Sequence, residues 1–221
     1  MKNWYQLTES ETLDKLGVTS EGLSSQQADS LLEKHGKNVL EESKKKSVFQ
    51  VFLSQFADLM VIILIIAAIV SMFSGSVEST IVIFAVITLN AILGTAQHVK
   101  AEKSLESLKS LSSPSAKVIR DGRKIEIDSE NIVPGDIVVL EAGDLVVADG
   151  RIINNYSLQV NESSLTGEST NIDKSVETIE KEVPLADRTD MVFSGSLVTY
   201  GRAIVVVTET GMNTEIGKIA T

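Results

Sequence analysis

Two apolar runs dominate the pattern of the first half of the sequence, at about 51–73 and 79–97. Each is close to the roughly 20 residues that a helix needs to cross about 30 Å of hydrocarbon. The alternative is a pair of core helices in a soluble protein, which would need a very large core to cover both runs. The pattern therefore predicts a transmembrane helical hairpin.

Lysines flank this hairpin on its outer sides only. Three lysines at 44–46 precede the first run, and Lys100 and Lys103 follow the second, whereas the connecting residues 74–79 contain no Lys or Arg. Cytoplasmic loops carry the excess of Lys and Arg in membrane proteins. We therefore expect both ends of the hairpin in the cytoplasm and the connecting residues outside or in a lumen.

A helical spacing continues beyond the second apolar run. Leucines recur at 105, 108 and 111 between charged residues, and Pro114 is the expected terminator. A helix over 80–111 would be about 48 Å long at 1.5 Å per residue, which exceeds the thickness of the hydrocarbon core. The second helix is therefore predicted to extend into a cytosolic stalk.

Two acids lie at the margins of the apolar runs, Asp58 and Glu78. An acid within a membrane span is by default a candidate for function. Both acids are close to the ends of the runs, where water can reach them, so interfacial solvation is the competing explanation. Asp58 and Glu78 are kept as secondary candidates for a metal-ion access path.

A helical pattern precedes the hairpin. One short helix is indicated at 10–16, and a second at 24–33. Ser24 or Ser25 can cap the first turn of the second helix, and Gly36 suits its end. The N-terminal segment is therefore predicted to be helical.

The period of the pattern changes to two after residue 116. Apolar and polar residues alternate around Asp121-Gly122, which is the signal of a type I′ hairpin. Further strand patterns are separated by predicted turns at 142–144 and 149–150. Short strands with glycine turns every 8 to 12 residues or so predict an all-β domain, a sandwich or a jelly-roll-like barrel. The predicted fold is thus mixed, with a helical segment at 1–46, a hairpin with its stalk at 47–111 and a β-rich domain at 112–221.

Charge and composition exclude several classes of function. The net charge is −10, and most of it lies after Ser110, which argues against nucleic acid as a partner. The sequence has no cysteine, which excludes disulfides, thiolate catalysis and cysteine-ligated metals. The polar start of the chain is not a secretory signal.

One short motif carries candidate chemistry, in the sequence NESSLTGEST at 161–170. Gly167 permits a positive φ and a tight turn. Glu168 could accept a proton from water or hold the water in place, and the hydroxyls of Thr166 and Ser169 could bond to phosphate oxygens. Alone, such a turn says little, because turns rich in Ser, Thr and Gly are common.

The order of the motifs resembles that of P-type cation-transporting ATPases, and most closely the calcium-pump branch. LTGES at 165–169, with IVPGDIVVLEAGDLVVADGRII before it, resembles the family's actuator domain. LLEKHGKNVL at 31–40 is similar to the family's N-terminal helical segment. NAILGTAQHVKAEKSLESLKSL resembles the second transmembrane helix and stalk, and TETGMNTEIGKIA the stretch before the third helix. The resemblance covers nearly the whole chain.

The resemblance implies a specific role for the turn. In the full-length pump, ATP would phosphorylate an aspartate, and the actuator would then swing its TGES loop over the aspartyl phosphate. Glu168 would position and activate the hydrolytic water, Thr166 and Gly167 would shape the loop, and Ser169 would steady it. Rotation of the actuator would pull on the linked helices and so couple hydrolysis to the ion path.

The resemblance also implies what lies outside this sequence. The family's phosphorylated aspartate lies in a DKTG motif that does not occur here, and Asp-Lys-Ser at 173–175 is only a partial match that we interpret as loop. ATP and Mg²⁺ are therefore implied for the full-length pump, and neither a cofactor nor a metal site is expected within this chain. Alone it is expected neither to hydrolyse ATP nor to transport ions.

The implied partners are the lipid bilayer, the pump's own phosphorylation and nucleotide-binding domains, its remaining transmembrane helices and the transported cation. The implied location is a bacterial plasma membrane, with both ends of the chain cytoplasmic. Calcium is the expected ion, although sodium, potassium and proton pumps share most of these motifs. The second hypothesis is a non-catalytic, membrane-anchored module that binds or regulates a partner.

Overall fold

The chain divides into two compact units in the computed structural model. One comprises Met1–Glu41 with Ser113–Thr221, and the other Glu42–Ser112. The described residues are 3–40, 46–111, 114–167 and 169–220, with the backbone alone described for 108–111.

Two helices form the N-terminal part of the first unit, α1 (Glu9–Leu16) and α2 (Ser25–His35). Each begins with a capping box, in which the side chain of Thr8 or Ser24 accepts a hydrogen bond from a backbone N–H of the first turn. Helix α2 is followed by Gly36, which has a φ of 78°. Both helices are thus confirmed, and α1 begins one residue earlier than predicted.

The rest of the first unit is built on an antiparallel sheet. Its order is β2-β1-β3-β7-β4-β5, with β6 paired to β4. In the described part of the chain the strands are β1 (Ser115–Arg120), β2 (Arg123–Asp128), β3 (Ile137–Glu141), β4 (Asp149–Asn161), β5 (Asn171–Asp173), β6 (Met191–Val192) and β7 (Leu197–Glu209). This sheet confirms the predicted β-rich domain.

The long central strands are buried on both faces. Neighbouring residues of β4, Ile152 and Ile153, belong to different apolar clusters, because successive side chains of a strand point to opposite faces. The same alternation separates Val205 from Val206 in β7. The cluster that contains Ile153 and Val206 also contains Ala28 of α2, so the N-terminal helices cover one face of the sheet.

The turns of the sheet test the sequence pattern directly. Asp121 and Gly122 have φ values of 50° and 67° and join β1 to β2, with Arg120 opposite Arg123. This confirms the type I′ hairpin, which requires positive φ at both central residues. The turn at 142–144 is also present, with Gly143 at a φ of 95°.

The predicted turn at Asp149-Gly150 is wrong, because both residues lie at the start of β4. A Cβ at Gly150 would lie 2.3 Å from Cγ1 of Val205, so the glycine is required by the close approach of β7. Asp149 is buried, and its carboxylate accepts hydrogen bonds from the backbone N–H groups of Ser194 (2.8 Å) and Glu215 (2.7 Å). Asp149 and Gly150 therefore have a turn-like composition because of contacts with residues distant in sequence, not because they form a turn.

Burial of Asp149 predicts a pH-dependent stability. Burial raises its pKa from 3.8 to about 6, although the two N–H donors oppose this shift. The folded state therefore binds more protons than the unfolded chain between about pH 4 and pH 6, and this group's contribution to the free energy of unfolding falls as the pH rises through that window. An asparagine side chain at this position would have one acceptor oxygen, so we expect Asp149→Asn to remove the contribution and to cost about 1–3 kcal/mol through the lost hydrogen bond.

The fluorescence of Trp4, the chain's single tryptophan, reports unfolding of this unit. Denaturant titrations at pH 4, 5, 6 and 7 give the free energy of unfolding of the wild type and of Asp149→Asn, and hence its slope against pH for each protein. Asp128→Asn, at an exposed acid, is the control. Identical slopes for the wild type and Asp149→Asn would contradict the raised pKa.

The second unit contains three helices, α3 (Val48–Gln55), α4 (Leu59–Phe73) and α5 (Val77–Leu111). Helix α5 has 35 residues and is therefore about 52 Å long. In the described residues it is the one unbroken helix that is long and apolar enough to cross a membrane, and α3 with α4 could form a second span. The long second helix is present as predicted and ends before Pro114, whereas its assignment to a cytosolic stalk stays a prediction.

The first apolar run differs from its prediction as one span. Helices α3 and α4 meet at an angle of 62°. Asp58 lies at this break and caps α4, because its Oδ1 accepts a hydrogen bond from the backbone N–H of Met60 at 2.9 Å. Hydrophobicity alone does not reveal such a cap. At 15 residues, α4 spans about 22 Å, which is less than the hydrocarbon core of about 30 Å.

Candidate functional site

The candidate motif lies in the segment that joins β4 to β5. A short helix, α6 (Ser163–Thr166), follows β4 and ends at Gly167, which has a φ of 75°. The N–H of Gly167 donates to the carbonyl of Ser163 at 3.0 Å. A Cβ at this position would meet nothing within 4 Å, so the glycine is required by the backbone conformation and not by space.

Thr166, Gly167 and Ser169 lie in the segment between β4 and β5, where Thr166 is half-buried and Gly167 and Ser169 are exposed. The hydroxyl of Thr166 donates to the carbonyl of Glu162 at 3.1 Å, and the carbonyl of Ser169 accepts from Nδ2 of Asn161 at 3.2 Å. Glu168, the predicted water-positioning residue, lies outside the described residues. The roles of these four residues stay predictions.

The base of this turn is fastened to the sheet domain by polar side chains. Oδ1 of Asn161 accepts from the N–H of Ser163 at 3.1 Å and from its hydroxyl at 2.6 Å. The hydroxyl of Ser164 donates to the carbonyl of Gly195 at 3.1 Å. Thus an exposed tip stands on a base that has several attachments.

A buried ion pair lies at the same base. Nζ of Lys174 is 2.5 Å from Oε1 of Glu162, and both side chains are completely buried. Burial raises the pKa of Glu162 and lowers the pKa of Lys174, and the charge of each partner opposes the shift of the other. Nζ of Lys174 also lies 5.5 Å from the centroid of the Phe193 ring, within the range of a cation–π contact.

A second buried ion pair joins Arg151 to Asp190. Nε of Arg151 lies 3.1 Å from Oδ2 of Asp190, and both side chains are completely buried. Burial raises the pKa of Asp190 to about 6, although the charge of Arg151 opposes this shift. The guanidinium also donates to Thr178 Oγ1 and to the carbonyls of Leu7, Ile152, Val176 and Asp190.

Sequence reasoning missed both ion pairs. It considered Lys174 only as part of a partial motif in a loop, whereas the structure places it directly after β5, with its side chain buried. The signal for Glu162 was its position, because it continues the inward-facing alternation of Leu158 and Val160. An acid at such a position needs a partner, but the sequence does not reveal which one.

The two secondary candidates lie at helix starts in the second unit. Asp58 is exposed and caps α4, and Glu78 is exposed in the first turn of α5. Negative charge is favourable at a helix N-terminus, so both acids have a structural explanation. Their role on an ion path stays a prediction.

The predicted orientation of the hairpin depends on its flanking lysines. Lys46, Lys100 and Lys103 are described, whereas Lys44 and Lys45 lie outside the described residues.

Two family models match most of the chain, and known proteins match nearly all of it. The family model of the P-type ATPase actuator domain matches residues 110–221, and that of the cation transporter/ATPase N-terminus matches residues 4–71.

Similar proteins include calcium-transporting ATPase lmo0841 of Listeria monocytogenes, which is 48% identical over 98% of this chain and 24% of its own length. Calcium-transporting ATPase 1 of Bacillus cereus is 44% identical over 100% of this chain and 26% of its own length. Probable cation-transporting ATPase F of Mycobacterium tuberculosis is 40% identical over 90% of this chain and 22% of its own length. The chain thus spans about a quarter of the length of these relatives. With its actuator domain and cation-ATPase N-terminal segment, the chain belongs to the P-type ATPase family.

Proposed function

We propose that this chain is the actuator domain and first membrane hairpin of an ATP-driven calcium pump. The observation that carries this proposal is the turn at half-buried Thr166 and exposed Gly167, which stands on a firmly attached base within the region that matches the actuator family. An exposed tip on a fixed base suits a loop that must enter another domain's site. ATP supplies the phosphoryl group, and Mg²⁺ accompanies it, in the domains of the full-length pump.

The proposed chemistry is hydrolysis of an aspartyl phosphate. The carboxylate of Glu168 orients a water molecule and accepts its proton while the water oxygen forms a bond to phosphorus. The bond between phosphorus and the aspartate oxygen breaks, which releases phosphate and a free carboxylate. The position of the Glu168 carboxylate matters more for this step than its intrinsic basicity, because a general base must lie within hydrogen-bond reach of the proton it removes. Thr166 and Gly167 shape the loop, and Ser169 steadies it.

Helix α5 supports the proposed coupling to transport. It is a continuous helix of 35 residues that ends at Leu111, and only residues 112–114 separate it in sequence from β1 of the actuator. A rotation of the actuator is therefore transmitted to the membrane through a short connection and a long helix. The ion ligands belong to helices of the full-length pump outside this sequence, so this chain alone neither hydrolyses ATP nor transports ions.

Calcium is proposed as the ion because several of the most similar curated relatives are named calcium-transporting ATPases. The test is the full-length pump in sealed vesicles with radiolabelled ATP. We expect an acid-stable phosphoenzyme that requires Ca²⁺, and Ca²⁺ uptake that requires ATP. Phosphoenzyme formation that requires Na⁺, K⁺ or protons instead of Ca²⁺ would contradict calcium as the transported ion. If vesicles that contain the folded full-length protein form no phosphoenzyme, the proposed pump function is contradicted.

The orientation of the hairpin in a bacterial plasma membrane is tested with the 221-residue chain itself. Because the chain has no cysteine, Ser76→Cys provides a single thiol in the connection between α4 and α5. We expect a membrane-impermeant maleimide to label this thiol in intact cells. Lys181→Cys, which is exposed in the actuator, serves as the control and should react only after lysis. Labelling of Ser76→Cys only after lysis would contradict the proposed orientation.

A further inference from the structure

A carboxylate occupies an inward-facing position directly after β4. Leu158, Val160 and Glu162 alternate along the chain, and all three are buried, Glu162 completely. An ionised carboxylate in such a position is costly unless it has a partner. The partner is Lys174, at 2.5 Å and equally buried.

The two residues flank one surface segment. Residues 163–170 lie between β4 and β5, whose register pairs Val160 with Ile172 and Asn161 with Asn171. Lys174 follows β5, and its N–H donates to the carbonyl of Leu158 at 2.9 Å. The ion pair therefore crosses the base of the segment that contains Thr166 and Gly167.

Glu162 also holds the turn through its main chain. Its carbonyl accepts hydrogen bonds from the N–H of Leu165 at 2.9 Å, and from the N–H and the hydroxyl of Thr166 at 3.0 and 3.1 Å. Any displacement of Glu162 therefore moves the acceptor on which Thr166 depends. The contact of Lys174 with the Phe193 ring anchors the other partner in the domain interior.

Stability alone does not account for this pair. Desolvation of two buried charges offsets most of their attraction, and an apolar pair of similar volume is often equally or more stable. What an ion pair adds is geometry, because it favours one arrangement of two particular atoms. The attraction between apolar side chains is not directional and does not select particular atoms.

We propose that Glu162 and Lys174 are positioning residues that hold the base of the 163–170 loop in the geometry required for dephosphorylation. This rests on the proposed function, in which the loop acts on an aspartyl phosphate. Both side chains are completely buried, so in this proposal neither contacts the phosphate. Both act through the carbonyl of Glu162 and the return of the chain into β5.

Two double variants separate positioning from stability. Glu162→Leu with Lys174→Met replaces the pair by apolar side chains, and Glu162→Lys with Lys174→Glu exchanges the two charges. The matched control is the exposed pair of Lys37 and Glu130, replaced by Met and Leu, because its side chains are 61% and 40% exposed.

The first readout needs no pump activity. In the 221-residue chain, Trp4 fluorescence measures unfolding, and amide hydrogen exchange measures the order of 163–170. We expect the apolar variant to keep its unfolding midpoint while exchange in the loop accelerates on the order of tenfold. The double variant with the two charges swapped should restore slow amide hydrogen exchange in the loop. The surface control should match the wild type in both measurements.

The second readout is the full-length pump. We expect phosphoenzyme formation to be unchanged in the apolar variant and dephosphorylation to slow on the order of tenfold to a hundredfold, since small misplacements of catalytic groups have effects of that size. The charge exchange should recover most of the rate. If the pair served stability alone, its apolar replacement would not slow dephosphorylation while the domain keeps its full stability.

Wild-type loop exchange and dephosphorylation in the apolar variant would overturn the proposal. If the apolar variant does not fold, the variant with the two charges swapped decides. Wild-type rates of loop hydrogen exchange and of dephosphorylation in that variant support positioning. A folded charge-swapped variant that dephosphorylates slowly contradicts it. Absence of phosphoenzyme in the wild-type pump would contradict the proposed function instead, and the hydrogen-exchange result would still decide whether the pair orders the loop.

Discussion

Glu168→Gln in the full-length pump is expected to leave phosphorylation intact and to slow dephosphorylation by about 10²- to 10⁴-fold, the usual contribution of a general base. Glutamine has nearly the same shape and can still hold a water molecule, but it cannot accept the proton. In the proposed mechanism phosphorylation does not use this carboxylate, so phosphoenzyme should accumulate. Decay of radiolabelled phosphoenzyme after a chase with unlabelled ATP measures the rate.

The control for this experiment is Glu182→Gln, which neutralises an exposed acid in the same domain. It should decay at the wild-type rate. A folded Glu168→Gln pump that forms no phosphoenzyme would contradict the assigned role, since the residue would then act before phosphate transfer. Decay at the wild-type rate would contradict it as well.

Local signals allowed much of the fold to be predicted. The cap at Ser24, the end of α2 at Gly36 and the turn at Asp121-Gly122 each depend on residues close in sequence. The same holds for the apolar runs and for the period of two in the strands. These features could be predicted because neighbouring residues determine the local conformation.

Features that depend on distant residues could not be predicted in the same way. Asp149-Gly150 has the composition of a turn, but the approach of Val205 and the N–H groups of Ser194 and Glu215 place it in a strand. At the candidate site, the motif around Gly167 was visible in the sequence. The buried pairs beneath it were not, because their partners meet only in the folded domain.

Arg151→Met is expected to destabilise the actuator by about 3–5 kcal/mol, the usual cost of removing one partner of a buried ion pair. Asp190 would remain as an uncompensated buried charge. Carbonyls contacted by the guanidinium would also lose a donor, among them that of Leu7, which precedes α1. The unfolding midpoint followed by Trp4 fluorescence gives the loss, and the exposed Arg123→Met is the control.

The pH dependence of this loss identifies its cause. In the wild type, Arg151 is the largest influence that opposes the effect of burial on the pKa of Asp190, so the variant should raise that pKa further above about 6. The folded variant then takes up a proton that the unfolded chain does not bind, and its stability falls as the pH rises through the folded pKa. We therefore expect a smaller loss at pH 5, where the carboxyl is neutral, than at pH 8.

The double variant Arg151→Met with Asp190→Leu should recover part of the stability at pH 8, since it removes the unpaired charge but leaves the carbonyls without their donor. Equal losses for Arg151→Met at pH 5 and pH 8, with no recovery in the double variant, would show that the hydrogen bonds to the carbonyls, and not the ion pair, stabilise this part of the domain.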